Sequence, residues 1–187
     1  MKKISEMKLG DDEFLRMTRY CNAGDNRDDN RRRALALGFD QPGTTVAPGA
    51  IIRLSQAGSM GSNVFVGLYC YVNGAVTIED NVLIGPGCAI TAGQHKFEPE
   101  TGWFSGRTEP DGDESIIIGW GSWLCAHVTV TPGVKIGRAN LICAGAVVTR
   151  STPDYAIMAG VPARQVGHIE PETGEYHWHK AGGRGHE

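Results

Sequence analysis

An aliphatic residue at every sixth position is the feature that most constrains this chain. Leu54, Met60, Val66, Val72, Ile78, Ile84 and Ile90 form one such series. Ile118, Leu124, Val130, Ile136, Ile142 and Val148 form a second. Four residues after most of these comes another small or β-branched residue: Val64, Cys70, Val76, Val82 and Cys88, then Ser122, Val128, Val134 and Ala146. Asn140 interrupts that secondary pattern. An amphipathic helix repeats at 3.6 residues and cannot hold a period of six on one face. Simple strand alternation would not single out each sixth residue either.

The period suits strands of two or three residues, each followed by a tight corner. Glycine, proline and asparagine crowd those corners, as in "GPG", "TPG", "EDN" and "GRAN". Stacking such rungs sets each aliphatic residue over its equivalent in the next coil and gives one continuous, narrow core. The expected fold is an all-β solenoid over residues 51–152. Residues 1–50 are expected to form a helical segment and lead-in, with "EFLRMTRY" and "DDNRRRALALGF" as two short helices. Residues 153–187 are expected to form a C-terminal strand or cap and a polar, fraying tail, in which His177 and His179 read as solvated rather than metal-binding.

At 187 residues the chain can bury one real core. A net charge of −3, with acids and bases interspersed, provides no basic stripe for nucleic acid. No apolar signal-type stretch opens the sequence and no run is long enough to span a bilayer, so a cytoplasmic location without membrane insertion is expected. The five cysteines form no CxxC and suit neither a zinc site nor a disulfide framework. Cys70, Cys88, Cys125 and Cys143 fall within the repeat as small packing residues. Cys21 lies outside it and is assigned no role.

A solenoid surface offers few pockets, so the long break in the rhythm is where chemistry is expected. The step from Ile90 to Ile118 is long and is not a multiple of six, so a loop over residues 91–117 is extruded. It carries Phe97, Trp103, Phe104 and Arg107, enough apolar area to reach a neighbouring subunit. His95 stands at its root. Taken alone, a loop histidine reads as a turn cap. At the base of this loop it could equally serve as a general base, since the free imidazole titrates near neutral pH, and the residues alone leave both readings open.

These repeats resemble the hexapeptide-repeat acyltransferases. "VTIEDNVLIGPGCAITAGQH" and "HVTVTPGVKIGRANLICAGAVVTRSTPDYAIMAGVPAR" are similar to the maltose and galactoside O-acetyltransferase branch over most of residues 54–166. "AGVPAR" with its preceding "GAVVTR" is the specific part of that signature. The resemblance implies a left-handed parallel β-helix with three hexapeptide steps per coil. It also implies a homotrimer with active sites between subunits, acetyl-CoA as donor and no metal. His95 matches the family's catalytic histidine and would activate a hydroxyl of a sugar or sugar-containing acceptor. Ala126, Ala144, Thr149, Arg150 and Arg164 match the path of coenzyme A, with the two arginines as phosphate contacts. Gly167 stands where a further basic residue often lies, which leaves Lys135 or Arg138 to replace it.

On the acceptor side the matching positions are Arg53, Phe65, Gly67, Asn73 and Trp123. The galactoside-type pattern has an asparagine near Gly67 and an aspartate near Asn73, and a serine in the region of Arg53 and Gln56. Those changes remove the expectation of galactoside specificity but leave the transfer chemistry. An antibiotic O-acetyltransferase and a non-catalytic scaffold stay open as alternatives, as does O- versus N-acetylation. A γ-type carbonic anhydrase does not: His95 and His127 are the histidines of the repeat region, no HxxxxH occurs, and catalytic zinc needs three protein ligands.

Overall fold

The computed structural model of the protein describes residues 10–104 and 113–179. Two helices come first, α1 (Asp11–Ala23) and α2 (Arg27–Ala36). The coils follow. The first holds β1 (Thr45–Val46), β2 (Ile51–Leu54) and β3 (Ser59–Met60), and the second β4 (Phe65–Val66), β5 (Tyr71–Gly74) and β6 (Val76–Ile78). The third opens with β7 (Leu83–Ile84) and β8 (Ala89–Thr91), then detours through β9 (Phe97–Glu98) and β10 (Trp103–Phe104) before β11 (Ile116–Ile118) closes it. β12 (Trp123–Leu124), β13 (Thr129–Val130) and β14 (Lys135–Ile136) make the fourth. β15 (Leu141–Ile142), β16 (Val147–Val148) and β17 (Ala156–Ala159) complete the stack, and β18 (Arg164–Ile169) and β19 (Tyr176–Trp178) fold back on it.

Equivalent strands pair in parallel into three faces. Face A runs β1-β4-β7-β12-β15-β17 and face B β2-β5-β8-β13-β16; β3, β6, β11 and β14 form face C. The result is a left-handed parallel β-helix of triangular section. Inward rows fill it. Val66, Ile84, Leu124 and Ile142 stack along face A at 0 % exposure, and Val64, Cys70, Val82, Cys88, Val128 and Ala146 close the corners beside the rows. Side chains on alternate positions, such as Phe65 and Trp123, point outward.

One member of the first hexad series is out of place. Ile52 pairs with Val72, whereas Leu54 pairs with Gly74. Thr45 partners Phe65 while Ser59 partners Thr77, a shorter step, so the first coil carries two extra residues between β2 and β3. That insertion makes Leu54 coincide with the phase of Met60, while Ile52 holds the coil position. Val46 extends the same row back into the segment expected as lead-in, because β1 already pairs with β4.

Asn140 also turns out to belong to the pattern it interrupts. It is buried; its side-chain amide donates to the Pro153 carbonyl at 2.9 Å and the Arg138 carbonyl at 3.2 Å. Its backbone N–H donates to Ser122 Oγ at 3.0 Å, and that hydroxyl donates to the Gly137 carbonyl at 2.9 Å. Two polar residues on adjacent coils thus bind each other inside the corner.

Successive corners between faces C and A sit in the left-handed region at Asn63, Asn81, Gly121, Ala139 and Tyr155. Asparagine and glycine tolerate that conformation best, which accounts for the corner composition. At the N-terminal end, α2 is capped by Asn26, which accepts from the Asp29 amide at 3.0 Å. Arg31, one of three consecutive arginines, donates to the carbonyls of Phe39, Asp40, Gln41 and Thr44 and so fixes the approach to β1.

The free thiols of Cys70 and Cys88 are buried, donating to the carbonyls of Gly85 and Cys125 at 3.1 Å each. The neighbouring Cys70, and then burial, push the Cys88 thiol far above its ordinary range, so it packs rather than reacts. Among the described residues no helix is long and apolar enough to cross a membrane.

Candidate active site

The detour leaves the solenoid between faces B and C. Val76 and Ile116 are direct partners on adjacent coils, yet far more chain separates them than the three hexads between the partners Phe65 and Leu83. The excess is the inserted loop. The stack holds the chain up to Ala92, whose N–H donates to the Asn73 carbonyl at 2.9 Å. Gly93 follows at φ +129° with open space around its Cα, and there the chain swings outward. Within the expected loop, β9 and β10 form an antiparallel hairpin in which Phe97 and Phe104 meet edge-on at 5.5 Å. Trp103 and Phe104 are 66 % and 68 % exposed. Arg107 lies outside the described residues. The returning leg is tied down by the Asp113–Lys135 ion pair at 3.4 Å and by the Gly133 N–H on the Glu114 carbonyl. Hydrogen bonds from Ser115, and then Lys135, hold the Asp113 carboxyl below its ordinary range.

His95 is exposed, four residues beyond Thr91 at the corner between faces B and C. Arg53, Asn73 and Thr91 are successive partners along that edge. Continuing the β8-β13-β16 register by one residue adds Thr131 and Thr149 to the same column, with Arg150 next. Parallel strands are about 4.8 Å apart, so Thr149 lies only about 10 Å along the axis from Thr91. One edge therefore carries Arg53, Asn73, Thr149 and Arg150, and the loop that bears His95 leaves the stack from it. The Thr91–Thr149 column is not legible in the sequence unless the length of the insertion is known.

Other expected residues stand elsewhere. Ala126 and Ala144 occupy the corner between faces A and B, one coil apart, where the Gly145 N–H donates to the Ala126 carbonyl at 2.9 Å. Arg164 begins β18 opposite Ala159 and donates to the Ala163 carbonyl at 2.8 Å. Phe65 and Trp123 lie on the outer side of face A, with Leu83 between them. In a three-sided prism that face is opposite the corner of His95, so one chain does not gather all these residues into one cleft.

Gly67 lies inside the stack. It is buried, and a Cβ there would meet the Ile84 carbonyl oxygen at 2.7 Å and the backbone of Gly85 and Pro86 at 2.8 Å. Position 67 is a close packing contact between coils with no room for a side chain. The cations expected as substitutes for Gly167 are engaged as well: Lys135 pairs with Asp113, and Arg138 lies 5.2 Å over the Trp120 ring.

Two outer faces are apolar. Leu83 and Trp123 on face A are each 47 % exposed, and Ile51 and Tyr71 on face B are 48 % and 37 % exposed. Face C presents Ser59, Thr77 and Lys135, with half-buried Ile117 between the last two. Contiguous exposed apolar area of this kind marks an interaction surface.

No family model matches the chain. It is 33 % identical over 131 residues to the galactoside O-acetyltransferase of Escherichia coli K12, a match covering 64 % of this chain and 61 % of that protein. The chain therefore spans less than two thirds of that relative's length. A maltose O-acetyltransferase structure from Clostridium difficile 630 superimposes with a TM-score of 0.52 at 22 % identity, over 86 % of this chain and 90 % of the other. An N-acyltransferase from Bacillus cereus, in complex with dTDP and 3-hydroxybutyryl-CoA, gives 0.59 at 18 % identity over 75 % and 89 %. The two structures share the fold. In sequence and in fold the chain resembles the hexapeptide-repeat acyltransferases, in their maltose and galactoside O-acetyltransferase branch.

Proposed function

We propose that this chain, with its likeness to galactoside O-acetyltransferase, is an acetyl-CoA-dependent O-acetyltransferase acting on a hydroxyl of a sugar or sugar-containing acceptor. The observation that carries the reading is the position of His95: exposed at the root of the inserted loop, which leaves the stack at the edge that carries Thr149 and Arg150. In this reading the neutral imidazole takes the acceptor's hydroxyl proton as the oxygen attacks the thioester carbonyl. A backbone N–H stabilises the resulting oxyanion. The tetrahedral adduct collapses with cleavage of the C–S bond, and the departing CoA thiolate takes the proton back from the imidazolium. The products are an acetyl ester and free CoA, and no metal takes part.

The split of the remaining residues over two edges is what a site between subunits requires. The A–B corner of one subunit, with Ala126, Ala144 and Arg164, would face the B–C corner of the next, with His95, Thr149 and Arg150. Alanines keep the corner low enough for a pantetheine arm, and the arginines offer forked donors to its phosphates. A closed cyclic trimer also covers the apolar strips of faces A and B. Trp123 and Phe65 would then approach a neighbour's cleft, and the β9–β10 hairpin would roof it. The acceptor would lie against Arg53 and Asn73, a pair unlike the galactoside-type pattern, so the sugar is not a simple galactoside. The reading places the enzyme in the cytoplasm, where acetyl-CoA is made.

Thermal melting with added acetyl-CoA tests the donor without knowledge of the acceptor. A ligand that binds the native state alone stabilises it by about 2.7 kcal/mol at a hundredfold excess over Kd. A saturable rise in Tm is expected, reduced in Arg150→Ala and Arg164→Ala, from a species that runs as a trimer on sizing. No rise at millimolar acetyl-CoA would leave the solenoid as a scaffold.

A further inference from the structure

We propose that the C-terminal hairpin is a binding site for a divalent transition-metal ion of the zinc class, held by His168, Glu170 and His177. β18 and β19 are antiparallel, with Gly167 opposite Trp178, His168 opposite His177 and Ile169 opposite Tyr176. Strand alternation puts His168 and, one residue past the end of β18, Glu170 on one side of the hairpin, with His177 and, one residue past β19, His179 on the same side. The cross-strand imidazoles of His168 and His177 stack at 5.0 Å between centroids, and His179 lies 6.3 Å from His168. One ligand atom from each of His168, Glu170 and His177 falls within 4.8 Å of the other two.

Tetrahedral zinc with bonds of about 2.0–2.1 Å needs ligand atoms roughly 3.3 Å apart. The side chains of His168 and His177 are exposed and Glu170 is half-buried, so small rotamer changes close that gap without moving the backbone. The backbone itself is fixed. The Glu170 N–H donates to Glu175 O at 2.9 Å, the Gly174 N–H to Glu170 O at 2.8 Å and the His179 N–H to Val166 O at 2.7 Å. At Gly167 a Cβ would collide with the His177 carbonyl, so the two strands pack with no slack.

Imidazoles with one carboxylate suit zinc, nickel or copper, whereas magnesium and calcium take oxygen ligands. His179 or water would fill the fourth position, and Glu175, 3.9 Å from His177 Nε2, would orient that ring. β18 also pairs with β17, with Ala156 opposite His168. The ion would therefore clip β19 through β18 onto the last coil and brace the outermost strands of face A. Its place is structural, on a hairpin separate from the loop that bears His95.

The test uses the full chain without an affinity tag, stripped with EDTA and desalted, then titrated with zinc chloride by calorimetry and by thermal melting. One equivalent per chain should bind in the micromolar range or tighter and raise Tm, and magnesium should not replace it. The double variant His168→Ala/His177→Ala should melt like the wild type without metal. It should weaken zinc binding by at least the roughly 100-fold that losing even an outer-sphere partner can cost. His127→Ala and His186→Ala should bind as the wild type does. Millimolar-only binding, binding unchanged in the double variant, or binding lost with His127 or His186 would overturn the proposal.

Discussion

His95→Ala is expected to lose turnover by about 10²–10⁴-fold, the usual worth of a positioned acid–base group, while still binding acetyl-CoA. The side chain is exposed and lies beyond the last stacked residue of β8, so its removal leaves no cavity in the core. Stability should change by less than about 0.5 kcal/mol, as for surface substitutions generally. The loss should fall on kcat rather than on the affinity for the donor, because the base acts only as the acceptor oxygen attacks. Steady-state kinetics with a saturating acceptor, read beside the acetyl-CoA melting shift, separates these effects. Full activity in the variant would remove His95 from the chemistry and return it to the role of a turn cap.

Ile84→Ala carries the largest expected effect on stability. Ile84 is fully buried and stacked between Val66 and Leu124 in the face A register, so a truncation leaves a void walled above and below. Such a change costs about 2–5 kcal/mol, against a total stability of about 5–15 kcal/mol for an ordinary domain. In a solenoid each coil is braced by its neighbours, so a weak middle coil also uncouples the two ends. Thr77→Ala, on the outer side of face C, should cost less than about 1 kcal/mol. Urea midpoints at a fixed protein concentration compare the two; equal midpoints would mean that the inward row is not the core.

The hexad rhythm is legible because each coil repeats the same inward positions, and a buried row leaves a mark at every turn. Leu54 shows the limit of that mark. Two extra residues before β3 shift the coil while leaving an aliphatic residue in phase by coincidence, and only the strand register identifies Ile52 as the equivalent of Val72. Asn140 looks like a break because pattern reading expects an apolar residue, whereas here the carbonyls of Pro153 and Arg138 accept from its buried side-chain amide.

The site is legible in parts. His95 stands out by its place at the break, but the presence of Thr149 and Arg150 on the edge its loop leaves depends on register carried across the long insertion. The tight packing around Gly67 is not legible, because a residue type says nothing of the space around it. The tail has the composition of a fraying segment, yet residues 176–178 pair with β18. A signal for that pairing is present: His168-x-Glu170 and His177-x-His179 both alternate at the strand period, although composition alone hides it.

The most direct test of acetyl transfer is to incubate the protein with acetyl-CoA and a panel of saccharides and hydroxyl-bearing antibiotics, measuring free CoA thiol and acetylated product by mass spectrometry. CoA and an acetyl ester of a sugar or sugar-containing acceptor should appear in equal amounts and saturate with acceptor, and both should fall to background with His95→Ala. Release of CoA without an ester, or ester formation that persists undiminished in the variant, would contradict the account.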